Sequence, residues 1–311
     1  MTSPIDRVED AGFVVLHIGL PKTGTTHLQH LIFARTPELR FLHRTRGSAA
    51  ERGLCRSLRQ LVVGQAAYAA FERWRFARAL RAIAGEGRPV LLSYENVAMA
   101  PNGIWTGRGP GPEQVAARLA GLGSKIAPLR LKVVLGIRRQ DRWLASRYAE
   151  SSRDFPGFDQ ADFDARLSAL AAAAELKPVE AWLDHDRAHE ALAGALGAEN
   201  VFLLPTERLR QEAVYHELGR FAGGVNLLRW HRRAAKRTAL RPRNTLSGGG
   251  DTWQLRRDGS LLTLSPELAA ALRHRFADSS QRLSARGPLG LAASLERPAD
   301  PERVAAAPAA R

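Results

Sequence analysis

The stretch Gly19-Leu20-Pro21-Lys22-Thr23-Gly24-Thr25-Thr26 gathers residue types that can hold a tetrahedral anion. It follows the β-branched run Phe13 to Ile18 and precedes Leu28, Leu31 and Ile32, which lie at i, i+3 and i+4. That spacing predicts a strand, a tight turn and a helix in immediate succession. A glycine-containing turn that opens a helix aims several backbone N–H groups at one point, and the helix dipole adds positive potential there. Lys22 brings a mobile point charge, and the threonine hydroxyls bring further donors. The turn could serve only to join strand to helix, but Lys flanked by Thr-Gly-Thr-Thr is a poor choice for that alone.

The order of residues differs from the ATP-type phosphate loop G-x-x-x-x-G-K-[ST], because Lys22 here precedes Gly24. The later apolar run Leu131 to Ile137 ends in Arg138-Arg139 and offers no Asp for a metal. A kinase needs that metal to offset the triphosphate charge. An Mg-ATP-dependent small-molecule kinase is therefore the alternative rather than the first reading. A non-catalytic nucleotide- or nucleic-acid-binding protein is the other.

The stretch VVLHIGLPKTGTTHLQ resembles the 5′-phosphosulfate loop of sulfotransferases that use 3′-phosphoadenosine 5′-phosphosulfate (PAPS). The resemblance implies that Lys22 contacts the bridging oxygen while Thr23, Gly24, Thr25 and Thr26 hold the phosphate. A second stretch, Ile137-Arg138-Arg139-Gln140-Asp141-Arg142-Trp143-Leu144-Ala145-Ser146, is similar to that family's 3′-phosphate motif. Arg138 and Ser146 fall at its matching places, and an Arg at a strand's end can converge with a Ser two helical turns later. By the same resemblance Arg243, in Arg241-Pro242-Arg243-Asn244, is a candidate to cover the 3′-phosphate. His27 stands where cytosolic members carry a Trp beside the adenine, and Thr206 replaces a Tyr before Glu207.

Transfer to a hydroxyl needs a base for the acceptor proton, a contribution of about a hundred- to ten-thousand-fold. The resemblance points to Glu95, in Leu92-Ser93-Tyr94-Glu95-Asn96, with His43 as the second candidate; Lys22 would act on the leaving phosphate. His17, inside the first strand, reads as structural. The implied reaction moves a sulfuryl group to a hydroxyl of a small molecule or glycan, a carbohydrate or glycolipid among the candidates, without a metal.

These residues need a scaffold. Strands are predicted at Phe13 to Ile18, Val90 to Ser93, Leu131 to Ile137 and Val201 to Leu204. Between and after them helices are predicted over Ala66 to Ile83, Pro112 to Leu122, Asp141 (as cap) to about Arg153, Glu212 to Phe221 and from Ser265 onward. Two more are predicted in Asp159 to Leu196, the second opened by Pro178. Alternation of this kind gives an α/β fold, a three-layer α/β/α arrangement with a central parallel sheet, and the resemblance implies the P-loop-like sulfotransferase version of it. The aromatics from Phe71 to Phe76 read as core or as wall of the acceptor cleft. Gly223 to Gly259 reads as irregular, with Gly248-Gly249-Gly250 a loop. One domain over 13–296 is expected, between an N-terminal tail (1–12) and a Pro/Ala-rich C-terminal tail (297–311) whose composition predicts disorder.

The 311 residues carry a formal net charge of +15 and a single cysteine. An anionic small ligand accounts for the charge better than nucleic acid, since no tract except Arg229 to Arg243 is dense enough for a nucleic-acid arm. One cysteine builds neither an internal disulfide nor a zinc site, and Met1 to Asp10 lacks the apolar run of a secretory signal, so a cytoplasmic location is expected. No run reaches the roughly 18 apolar residues of a membrane span.

Overall fold

The computed structural model describes residues 12–63, 70–238, 247–249 and 251–290. In chain order the first half comprises β1 (Phe13–His17), a short α1 (Thr25–His27), β2 (Arg40–His43), α2 (Ala49–Val63), α3 (Ala70–Ala84), β3 (Val90–Ser93), α4 (Gly103–Thr106), α5 (Pro112–Ile126), β4 (Arg130–Ile137) and α6 (Gln140–Ser151). Then come α7 (Gln160–Ala172), α8 (His185–Leu196), β5 (Val201–Pro205), α9 (Glu212–Phe221), α10 (Leu227–Thr238), three short strands β6 (Ser247–Gly249), β7 (Thr252–Gln254) and β8 (Leu261–Thr263), α11 (Pro266–Arg275) and α12 (Ala277–Arg286).

Five strands form one parallel sheet in the order β2-β3-β1-β4-β5. Successive side chains of a strand point to opposite faces. Val14 and Leu16 therefore enter a core with Leu92, Val133 and Leu135 under α2, α3, α5 and α8. Val15 turns the other way, to Leu91, Val134, Phe202 and Leu204 under α9 and α10. Both faces being covered, the strands read as continuous apolar runs, which is why they were legible. The expected α/β class, a central parallel sheet flanked by helices, is the observed one. Among the described residues no helix is long and apolar enough to cross a membrane.

Several local expectations are corrected. Residues 40–43 form an edge strand, and 49–63 form a helix that was not foreseen. Asp141 does not cap α6: Arg139 is at the cap, and the Asp141 carboxylate is buried against Arg139 (2.7 Å) and Arg273 (3.2 Å). Pro178 leads only into a 3-10 turn (Glu180–Leu183); α8 starts later, capped by Asp184 through the N–H of Arg187 at 3.0 Å. The segment read as irregular contains α10 and the strands β6 and β7, which pair antiparallel with each other and, through β7, with β8. The buried stripe of α10 is Leu227, His231 and Ala234, helical spacing hidden by a histidine. The tails 1–11 and 297–311, the start of the predicted 66–83 helix, Gly250 and Arg243 lie outside the described residues.

Candidate functional site

β1 continues to β2 on one side of the sheet and β4 to β5 on the other, so the crevice beyond their carboxyl ends is a topological switch point. The Gly19–Gly24 loop leaves β1 on one side of that crevice, and Arg138 leaves β4 on the other. Gly19 and Gly136 pack backbone to backbone, since a Cβ on Gly19 would stand 2.9 Å from the Gly136 nitrogen. Leu20 then donates its N–H to the Gly136 carbonyl at 3.0 Å.

The next carbonyls are each tied back. The Leu20 carbonyl accepts from the Thr23 hydroxyl at 2.5 Å. The Pro21 carbonyl accepts from the Trp143 indole at 2.6 Å, and the Lys22 carbonyl accepts from Arg138 Nη1 at 3.3 Å. Lys22 (φ 68°) and Gly24 (φ 78°) both adopt left-handed backbone there. A helix leaves its first N–H groups without intrahelical partners. Those of Thr25, Thr26 and His27 find no other acceptor among the described residues. The loop thus presents donors outward and keeps its acceptors behind it.

The three threonines divide their work. Thr23 is fully buried and spends its hydroxyl on the loop. The Thr25 hydroxyl makes a short hydrogen bond to Glu95 Oε2. Thr26 alone is exposed, and its hydroxyl has no hydrogen bond among the described residues.

Helix α6 supplies what reading the chain alone missed. Trp143, Arg147 and Glu150 lie at i, i+4 and i+7, the stripe that faces the loop. Glu150 holds Lys22 Nζ at 2.7 Å and is also paired with Arg147. Arg147 is 3% exposed and donates to the Pro101 carbonyl, yet its Nε has no hydrogen-bond partner among the described residues. Burial lowers its pKa, opposed by Glu150 and Glu95. Ser146 is 6% exposed, one residue before Arg147, with a hydroxyl that bonds no described residue. Arg138 is half-buried; burial draws its pKa down and Glu207 opposes this, but a guanidinium stays charged. Thr206 and Glu207 fix this strand exit, the first donating to the Ile137 carbonyl (2.9 Å), the second accepting from the Arg139 N–H (3.1 Å).

Register puts His17, Ser93 and His43 in one row across β1, β3 and β2. Gln29 donates to Ser93 Oγ at 2.9 Å, and the same hydroxyl is hydrogen-bonded to His17 Nδ1 at 2.7 Å. Burial, with His43 adding to it, lowers the pKa of His17 to about 4. His43 is 4% exposed and contacts Phe41, His30 and Thr45 rather than the loop. Burial, then His30, Arg44 and Arg46, take its pKa to about 4, which makes it a weak base. Glu95 is half-buried two residues past Ser93, joined to the loop through Thr25. His27 lies 3.3 Å from the Tyr215 hydroxyl, which already donates to the Leu209 carbonyl at 2.8 Å; His27 Nε2 is therefore the donor. Among the described residues no cluster of His, Cys, Asp or Glu is arranged to hold a metal ion.

Fold and site together define a parallel α/β protein with a donor-rich loop at its switch point. No family model matches the chain, and no curated protein matches it. Among solved structures it is similar to a sulfotransferase from Alicyclobacillus acidocaldarius, with a TM-score of 0.49 and 14% identity over 89% of this chain and 96% of that one.

Proposed function

We propose that this chain is a PAPS-dependent sulfotransferase that passes the sulfuryl group to a hydroxyl of a small-molecule or glycan acceptor. The observation that carries this reading is the hydrogen bond from Arg138 to the Lys22 carbonyl, between residues 116 apart in sequence. It joins two motifs whose chemistry suits the two phosphates of one nucleotide. The N–H groups of Thr25, Thr26 and His27, unpartnered among the described residues, fit a phosphate.

Lys22, Thr23, Gly24, Thr25 and Thr26 would hold the 5′-phosphosulfate, Arg138, Ser146 and Arg243 the 3′-phosphate, and His27 the base. Bound there, the nucleotide supplies an activated sulfuryl group on a phosphate leaving group. Glu95 takes the acceptor proton on Oε1, because Oε2 already accepts from Thr25. Lys22, released from Glu150, stabilises the charge that grows on the leaving oxygen. His43 is the poorer candidate, being buried against Phe41, His30 and Thr45, whereas Glu95 touches the loop through Thr25.

Calorimetric titration with 3′,5′-adenosine bisphosphate, without metal, tests the reading. Binding should exceed that of 5′-AMP and weaken about 10- to 100-fold in Arg138→Ala, the cost of a charge-assisted hydrogen bond. With an acceptor in hand, Glu95→Gln should lower kcat about 100- to 10,000-fold and leave bisphosphate affinity unchanged. Failure to bind the bisphosphate would sink the proposal.

The Thr25–Glu95 hydrogen bond favours a second reading. A loop hydroxyl beside a carboxylate from the neighbouring strand is the pair that holds Mg²⁺ on a nucleoside triphosphate in phosphoryl-transfer enzymes. The order β3-β1-β4 puts Glu95 beside β1, where the arginines after β4 had left that place without an acid. Tight binding of Mg-ATP in the same titration, with none of the bisphosphate, selects this kinase reading.

A further inference from the structure

Helix α3 carries two apolar stripes where a core helix needs one. Phe76, Ala77 and Leu80 face inward and are buried. Phe71 and Trp74, expected as core or cleft wall, project outward instead, 61% and 46% exposed. Their rings stack with centroids 6.1 Å apart. The Arg75 guanidinium lies 5.7 Å from the Phe71 ring and that of Arg78 lies 5.4 Å from the Trp74 ring. Beside them a groove of about 740 Å³ opens against α2, floored by Ala50, Gly53, Leu54 and Ala79.

Charge decides what this face suits. The two helices carry seven arginines against Glu51 and Glu72. Glu51 is committed to Arg40 at 2.6 Å and Glu72 to Arg75 at 3.2 Å. Arg56, Arg73 and Arg78 are exposed, and no carboxylate pairs with them among the described residues. Exposed aromatics under a layer of guanidinium groups match the boundary between acyl chains and phosphate headgroups. The rings enter the apolar side, and the arginine stems reach up to the phosphates.

We propose that the outer face of α2 and α3 docks on an anionic lipid bilayer, with Phe71 and Trp74 inserted and Arg75 and Arg78 on lipid phosphates. Nothing in this requires the catalytic reading to hold. Co-sedimentation of the full chain with vesicles of phosphatidylcholine, with and without phosphatidylglycerol, is the test.

The chain should partition onto the phosphatidylglycerol vesicles, less so at high salt. The pair Phe71→Ser and Trp74→Ser should lower partitioning at least ~10-fold through lost apolar insertion. The pair Arg75→Glu and Arg78→Glu should lower it by a similar factor. All four positions are on the surface, so helix content and urea midpoint should stay near wild type. Three results would overturn the proposal: no partitioning onto anionic vesicles, partitioning that survives both pairs, or partitioning lost instead on Arg229→Glu with Arg233→Glu in α10.

Discussion

Glu150 is the residue whose role the chain order hides best. It places a carboxylate 2.7 Å from the only lysine in the loop. Lys22 is thereby held ready, yet any phosphate that enters must compete with Glu150 for it. Lys22 and Glu150 are 19% and 27% exposed, so the pair is only partly screened. Glu150→Gln should therefore tighten binding of 3′,5′-adenosine bisphosphate about 5- to 10-fold, the effect of ~1 to 1.4 kcal/mol. A weaker titration in that variant would mean that Glu150 positions Lys22 productively and is no competitor. The loop residues themselves were readable, because Lys, Thr and Gly declare their chemistry within one turn. Glu150 and Arg147 were not, since nothing in α6 announces which stripe meets the loop.

The junction between β1 and α1 depends on a glycine for two separable reasons. Gly24 takes φ +78°, and a Cβ there would stand 2.2 Å from Leu209 Cδ1. Gly87, in the turn before β3, has φ +77° with nothing near its missing Cβ. Gly87→Ala thus measures the left-handed backbone cost alone, about 1–2 kcal/mol. Gly24→Ala should cost more in urea unfolding, and Leu209→Ala added to it should recover only the excess. Equal costs at the two glycines would show that Leu209 yields freely. Elements buried on both faces (β1, β3, β4 and β5) were legible within a residue or so at each end. Elements with mixed stripes were not: β2 is four residues at a sheet edge, and α10 covers the core with Leu227, His231 and Ala234 under an arginine-rich exterior.

At the scale of the whole molecule, burial turns histidines into acid-labile points. His17 and His185 are 0% and 2% exposed, and burial lowers each pKa from 6.5 to about 4. The unfolded chain takes up these protons near pH 6.5, the folded one only near pH 4. Their contribution is thus fully present above about pH 6.5 and is lost as pH falls toward 4, on the order of 3 kcal/mol for each histidine. Urea midpoints followed from pH 7 to 4 should fall accordingly, and His17→Gln should flatten the fall by about one proton; a flat profile would contradict the burial of both. The sequence by itself determined the local chemistry: a strand, a Lys- and Thr-rich turn and a helix start, and a second strand ending in Arg138. Hydrophobic periodicity and turn residues act between near neighbours, so a single pass along the chain can read them. Only the tertiary structure decided that Arg138 reaches the Lys22 carbonyl, that Glu95 meets Thr25, that Glu150 grips Lys22 and that Phe71 and Trp74 face outward. Those pairings follow from the strand order and from which helix face is left over once the core is filled. Both are settled by burial summed over the whole chain rather than by any one segment.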